Sequence, residues 1–273
     1  MNQKSTGTEG IETELRRISR KVDLLGRFAE NSGVTINDLI NVRGFSLKET
    51  SSTRKFLQRI DTDLLFESLT SYYFRRFLGD ALNLGTVDRE KTSILISKWG
   101  RDCLDFIAKA IEIGIAKKMP YGLGMKLTVN DFGVMLEWFI AEFLRKSESF
   151  EAIFEVHLKN LKDGGDIDIL ARNKLDLIMI ECKESPPNNV PVSELKSIMA
   201  RVHKIDPDIF ILAIDTTLSI QRNILDNINW ISHSLPIRLR EGVYIFNNNS
   251  FVVTAKRDLL KNISFAISLA NKH

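Results

Sequence analysis

Gly165-Asp166-Ile167-Asp168-Ile169-Leu170 and Leu175-Asp176-Leu177-Ile178-Met179-Ile180-Glu181-Cys182-Lys183 are the two stretches whose reading decides the fold. Side chains alternate along a strand, so Glu181 and Lys183 share a face with Leu177 and Met179, while Ile178, Ile180 and Cys182 take the other. Both faces stay apolar until the last residues, which is the pattern of a central strand covered on two sides. In the first stretch Asp166 and Asp168 point one way, and Ile167 and Ile169 the other. A short turn at Arg172-Asn173-Lys174 makes the two strands antiparallel. It sets Asp168 across from Ile178 and Met179, and strand twist leans its side chain toward Glu181. Two acids and a lysine then meet at the end of a buried strand.

Such a set suits a hard divalent cation, because Mg²⁺ takes a few carboxylate oxygens and keeps several waters. Asp168 and Glu181 are the expected oxygen donors, and the Cys182 backbone carbonyl can add another while its thiol faces the core. A bound Mg²⁺ or Mn²⁺ lowers the pKa of a coordinated water and neutralises charge building on a phosphate. Lys183 would orient that water or stabilise the transition state. Glu-x-Lys alone carries little information. Asp168 standing ahead of it on a second apolar strand carries far more.

Working outward, Asp131–Lys146 reads as a helix with Thr128 or Asn130 as its cap. Ala152–Leu158 reads as a strand, and Lys162–Gly165 as the turn that follows it. Beyond Lys183 the pattern predicts a helix at Pro191–Ile205, a strand at Ile209–Asp215 and a helix at Leu218–Asn229. Strands at Gly242–Phe246 and Phe251–Thr254 and a helix at Lys256–Asn271 end the chain. Lys196, Arg201, His203 and Lys204 fall on the expected exposed side of the Pro191–Ile205 helix, either as a solvated face or as a phosphate-contacting rim. The loop Ser185–Asn189 is placed to shape the entry to the site.

The run Gly164-Gly165-Asp166-Ile167-Asp168, a gap, and Glu181-Cys182-Lys183 resembles the PD-(D/E)XK, restriction-endonuclease-like nuclease superfamily in its G-x-(E/D)-x-D … E-C-K form. The proline of the family signature is missing. The resemblance implies that Asp168 rather than Asp166 is the metal ligand, with Asp166 outside the first ring of contacts. It also implies a glutamate on the preceding helix, and Leu136-Glu137-Trp138-Phe139-Ile140-Ala141 matches that segment, so Glu137 is carried over. Periodicity agrees, since Glu137 shares a helix face with Ile140, Ala141 and Leu144, whereas Glu142 pairs naturally with Lys146. The family implies a Mg²⁺-dependent (or Mn²⁺-dependent) nuclease, endo or exo, with Glu137, Asp168, Glu181 and Lys183 as its catalytic set. Asp168, Glu181, the Cys182 carbonyl and Glu137 would hold the metal. The resemblance covers about residues 129–215.

The fold class expected is α/β (α+β): a helical N-terminal region, then a core with a mixed central sheet flanked by helices. Residues 1–43 form a helical arm in this reading, 44–124 a helical domain, and 125–273 the nuclease-like domain. Ile11, Leu15, Ile18, Val22, Leu25 and Phe28 recur every three or four residues and mark an amphipathic helix. Thr35-Ile36-Asn37-Asp38 looks like the cap of a short second helix. That pair reads as a helical hairpin or a short coiled-coil arm, with a DNA-reading helix-turn-helix as the alternative, and Ile11–Phe28 offers a surface for a homodimer. Two long helices are expected next, Ser52 to about Leu82 and Asp88 to about Lys118, with the boundary at Met119-Pro120-Tyr121-Gly122-Leu123-Gly124.

The 273 residues carry a net charge of +3, too small to announce a nucleic-acid partner. It divides unevenly, roughly +5 over residues 1–128 and roughly −2 over the rest, which places an acidic cluster inside a basic chain. Cys103 and Cys182 form no CxxC pair, and the four histidines show no metal-ligand spacing, so zinc is not indicated. With no apolar leader and no membrane-length run, a soluble cytoplasmic protein is expected. Nucleic acid, DNA in the first place, is the expected partner. The alternative is a non-catalytic nucleic-acid-binding or assembly protein with an inactive nuclease-like core.

Overall fold

The computed structural model describes residues 5–29, 33–48, 57–85, 87–120, 122–127, 130–161, 166–184, 187 and 190–271. The expected turn at Lys162–Gly165, the cap at Thr128 and most of the loop Ser185–Asn189 lie outside them. Helices α1 (Ser5–Ala29) and α2 (Ile36–Asn41) open the chain. The expected cap at Thr35 is present as a capping box, with the side chains of Thr35 and Asp38 each satisfying the other's backbone N–H.

Each of the two long helices expected next is broken into a pair. α3 (Thr62–Leu69) stops at Thr70, and the Ser71 hydroxyl accepts from the Phe74 N–H to start α4 (Tyr72–Leu84). α5 (Arg89–Trp99) ends at Gly100, and α6 (Asp102–Ile113) ends at Gly114, whose φ of 92° is the left-handed stop that only glycine adopts cheaply. Lys117 and Lys118 therefore leave the helix for β1 (Ala116–Met119), which pairs with β2 (Gly122–Met125). Val87 bridges Leu123 from the other side. A helix, a bridging residue, two helices and a hairpin thus follow one another between Tyr72 and Met125. The exposed face of α6 carries Asp102, Leu104, Asp105 and Glu112, a poor match for a polyanion.

The rest builds a seven-stranded mixed sheet. After α7 (Asn130–Ser147) come β3 (Glu151–Val156), β4 (Ile167–Asn173), β5 (Asp176–Lys183), α8 (Val192–Ile205) and β6 (Ile209–Ile214). A π-turn at Gln221–Leu225 leads into α9 (Asp226–Ser232), then β7 (Ile237–Arg240), β8 (Val243–Phe246), β9 (Ser250–Thr254) and α10 (Leu259–Ala270). The strand order is β3-β4-β5-β6-β9-β8-β7; β5, β6 and β9 run parallel and the other pairs antiparallel. β7 was not expected, because an edge strand with Ile237, Arg238 and Leu239 exposed has no buried face to give it a pattern.

Two apolar layers clamp the sheet. α7, α10, α3 to α6 and the hairpin share one continuous core with Ile178 and Ile180. Leu24 of α1, α2, α8 and α9 share the other with Leu177 and Met179. The alternation read in β5 therefore holds. That read in β4 does not: Ile167 packs in the second layer and Ile169, two residues on, in the first. Across the ladder Phe154 and Val156 divide in the same way. Both strands exchange faces at the level of Glu155 and Asp168, where Glu155 takes a φ of 51°, outside the range of regular strand.

Candidate functional site

The β4–β5 turn is tighter than expected. Asn173 pairs with Asp176 and Ile169 with Ile180, the turn being closed by Lys174 at a φ of 56°. Continued one step, that register sets Asp168 level with Glu181 instead of Ile178 and Met179. The Cys182 N–H donates to an Asp168 carboxylate oxygen at 2.6 Å, fixing the aspartate against the end of β5. Asp166, by contrast, is exposed and sits against His157.

Glu181 is 1% exposed, since the sheet covers it on one side and α8 on the other. One of its oxygens accepts from Arg201 at 2.8 Å, and the other is buried without a partner. Arg201 is thus not on the exposed side of α8. Glu194, Ile198, Arg201 and Ile205 form its inward row, and spacing by three and four residues could have revealed this. Lys183 is held by Glu194 at 2.8 Å. Glu184, next in the chain, also buries an unpaired oxygen, while its carbonyl accepts from Arg76 of α4 at 3.2 Å.

Glu137 approaches from α7. Burial raises its pKa first, the neighbouring Asp168, Glu155 and Glu181 charges add to this, and a backbone hydrogen bond from Glu155 only partly offsets them, leaving it at about 9. Glu155 was not singled out by sequence, where it is one acid on an amphipathic strand. Glu181 is pushed up to about 7 by burial and by Asp168, against Arg201 and Lys183. Asp168 is raised too, chiefly by burial, with Lys183, the Cys182 N–H and Arg201 opposing. Burial works against the Lys183 ammonium, but its hydrogen bond to Glu194 and the field of Asp168 outweigh that and raise its pKa. Lys183 is therefore a fixed cation and not a general base. The Cys182 thiol is driven well up by burial and stays protonated and inert.

Raised carboxylate values carry a sign. Between 4.5, where a free glutamate gives up its proton, and about 9, folded Glu137 keeps a proton that the unfolded chain has lost. In EDTA, stability contributed by this group is lost as pH rises through that window. Urea midpoints should fall more steeply between pH 5 and pH 8.5 for the wild type than for Glu137→Gln. Equal slopes would show that Glu137 is not the buried acid described.

Among the described residues, no three His, Cys, Asp or Glu side chains already converge as a cation demands. One oxygen of Asp168 accepts from the Cys182 N–H and one of Glu181 from Arg201. The donor set is nonetheless that of a hard divalent ion, with hard carboxylate oxygens, one of them buried and unpaired on Glu181. The site is a carboxylate–lysine centre at the end of a parallel strand in an α/β sheet.

No family model and no curated protein matches this chain. Its fold is similar to that of VC1899 from Vibrio cholerae, with a TM-score of 0.55 at 12% identity over 87% of this chain and 62% of the other. Can2 from Sulfobacillus thermosulfidooxidans, solved with cyclic tetra-adenylate, gives a TM-score of 0.49 at 13% identity over 86% and 61%. A type III CRISPR defence DNA nuclease activated by cyclic oligoadenylate gives 0.32 at 16% identity over 70% and 26%. The chain spans about three fifths of the length of the first two. Among the described residues no helix is long and apolar enough to cross a membrane.

Proposed function

We propose that this protein is a Mg²⁺- or Mn²⁺-dependent phosphodiesterase of the PD-(D/E)XK kind acting on nucleic acid, with DNA as the expected substrate. The observation that carries the reading is Asp168 level with Glu181, whose second oxygen is buried and unpaired, with Lys183 one strand step beyond. Asp168, Glu181, the Cys182 carbonyl and Glu137 would hold the cation. When bound, the metal would activate a water and neutralise charge on the phosphate.

The remaining chemistry belongs to the chain. Lys183, kept as an ammonium and aimed by Glu194, stabilises negative charge gathering on phosphate oxygens. Glu137, protonated in the cation-free state, can hold or release a proton beside Asp168. Arg201 restrains Glu181 until a stronger cation competes for it.

The test is cleavage of linear duplex, single-stranded, forked and four-way DNA and of RNA in Mg²⁺, Mn²⁺ or EDTA. Wild type should cut at least one substrate with either metal and none in EDTA, and Asp168→Ala and Lys183→Ala should each be inactive. Full activity in both variants, or cutting in EDTA, would sink the assignment. The closed pairs Arg201–Glu181 and Lys183–Glu194 also suit a core that binds nucleic acid without cutting it. That second reading predicts binding with no cleavage of any substrate.

A further inference from the structure

α1 is docked the wrong way round for an amphipathic helix. Its polar flank holds it to the body: Arg17 reaches Asp208 at 3.1 Å, Arg20 reaches Asp206 at 2.8 Å and Lys21 reaches Asp176 at 2.6 Å. Leu24 alone of its described apolar side chains is buried. Ile11, Leu15, Ile18, Val22 and Leu25 face outward at 62%, 59%, 52%, 60% and 54% exposure. Their spacing of four, three, four and three is the a/d seam of a two-stranded coiled coil. Three ion pairs thus fix an apolar heptad stripe toward solvent.

Charge along the helix selects what covers it. Of the charged residues that flank the stripe, Glu12 and Glu14 lie toward its start and Lys21 toward its end, whereas Arg17 and Arg20 are turned to the body. A parallel copy would set like charge on like, whereas an antiparallel copy brings the glutamates of one helix toward Lys21 of the other. We infer that α1 is the self-association surface of this protein and pairs antiparallel with α1 of a second copy. Leu15 then faces Ile18 of the second copy and Ile11 faces Val22. This register sets Lys21 level with Glu12 and within two residues of Glu14 of the second copy, and an ammonium has donors enough for one of them and for Asp176. Four large aliphatic side chains per copy then face one another, with Leu25 at the end of the seam, and bury on the order of 1,000 Å² in all, near the lower bound of specific interfaces. This inference is independent of the proposed chemistry at Glu181.

Light scattering and sedimentation of the full chain test it. Wild type should show twice the 31.1 kDa chain mass at micromolar concentration, and the Leu15→Glu/Ile18→Glu variant a single chain mass with unchanged circular dichroism and melting temperature. Both positions are exposed, so a folding defect is not expected. Orientation is read by mixing Ile11→Cys with Val22→Cys chains under oxidation. The two variants should cross-link to each other, and neither to itself. A wild type that stays monomeric, a double variant that stays dimeric, or self-linking of either cysteine variant would each overturn the inference.

Discussion

Glu181→Gln is expected to lower metal-dependent phosphodiester cleavage by about a hundred- to a thousandfold, the usual loss when one preorganised charge is removed from a reacting centre. The amide keeps the shape of the side chain and can still accept from Arg201, so α8 stays in place. What is lost is the anionic oxygen that is buried and unpaired. Burial and Asp168 already disfavour the Glu181 charge, pushing its pKa to about 7. Neutralising it should therefore leave the melting temperature in EDTA equal to or above that of the wild type. Mg²⁺ should raise the melting temperature of the wild type by mass action and leave that of the variant almost unmoved. Single-turnover cleavage and thermal melts in both buffers separate a lost site from a lost fold. Cleavage within tenfold of wild type would remove Glu181 from the site.

Arg75→Met is expected to cost about 3–5 kcal/mol of folding stability, as breaking one side of a fully buried ion pair does. Arg75 and Asp215 are 3% and 2% exposed, and their two hydrogen bonds are both 2.8 Å. Arg75 also donates to the carbonyls of Leu69 and Thr70 at the end of α3. Without it Asp215 is left charged in the interior. Its N–H donates to the Lys183 carbonyl, so the end of β5 feels the loss directly. Arg75→Met combined with Asp215→Leu should recover most of the loss, since an apolar pair replaces the ions without stranding either. Urea unfolding of the three variants decides it. A single-variant loss below about 1 kcal/mol would mean the pair is solvated in a way the geometry denies.

Sequence made the centre of the fold legible where a period was enforced from two sides. β5 is buried on both faces, so its alternation placed Glu181, Cys182 and Lys183 correctly. β4 misled because Glu155 leaves regular strand geometry and both strands change faces there, an event with no compositional mark. The register shifted because the turn closes at Lys174, a residue not read as left-handed. Arg201 reads as solvent-facing because Leu195, Met199 and Val202 mark another apolar row of α8, although its spacing from Ile198 and Ile205 puts it on the row that turns to Glu181. Breaks at Ser71 and Gly100 were readable as a cap and a stop, yet the apolar run through them is continuous. Ion pairs such as Arg75–Asp215 join residues 140 positions apart, and single-sequence patterns carry no trace of them.

The Arg201–Glu181 contact has a consequence for how the molecule presents itself. Acids at 137, 168 and 181 would by themselves make a negative mouth that turns a polyanion away. Instead Arg201 and Lys183 sit among them, and Glu137 keeps its proton. With Glu155 and Glu194 also beside them, these charges offset the acids only in part. The repulsion that a phosphate backbone would meet there is lowered, not abolished. The remaining positive charge would be supplied by a divalent cation held at these carboxylates.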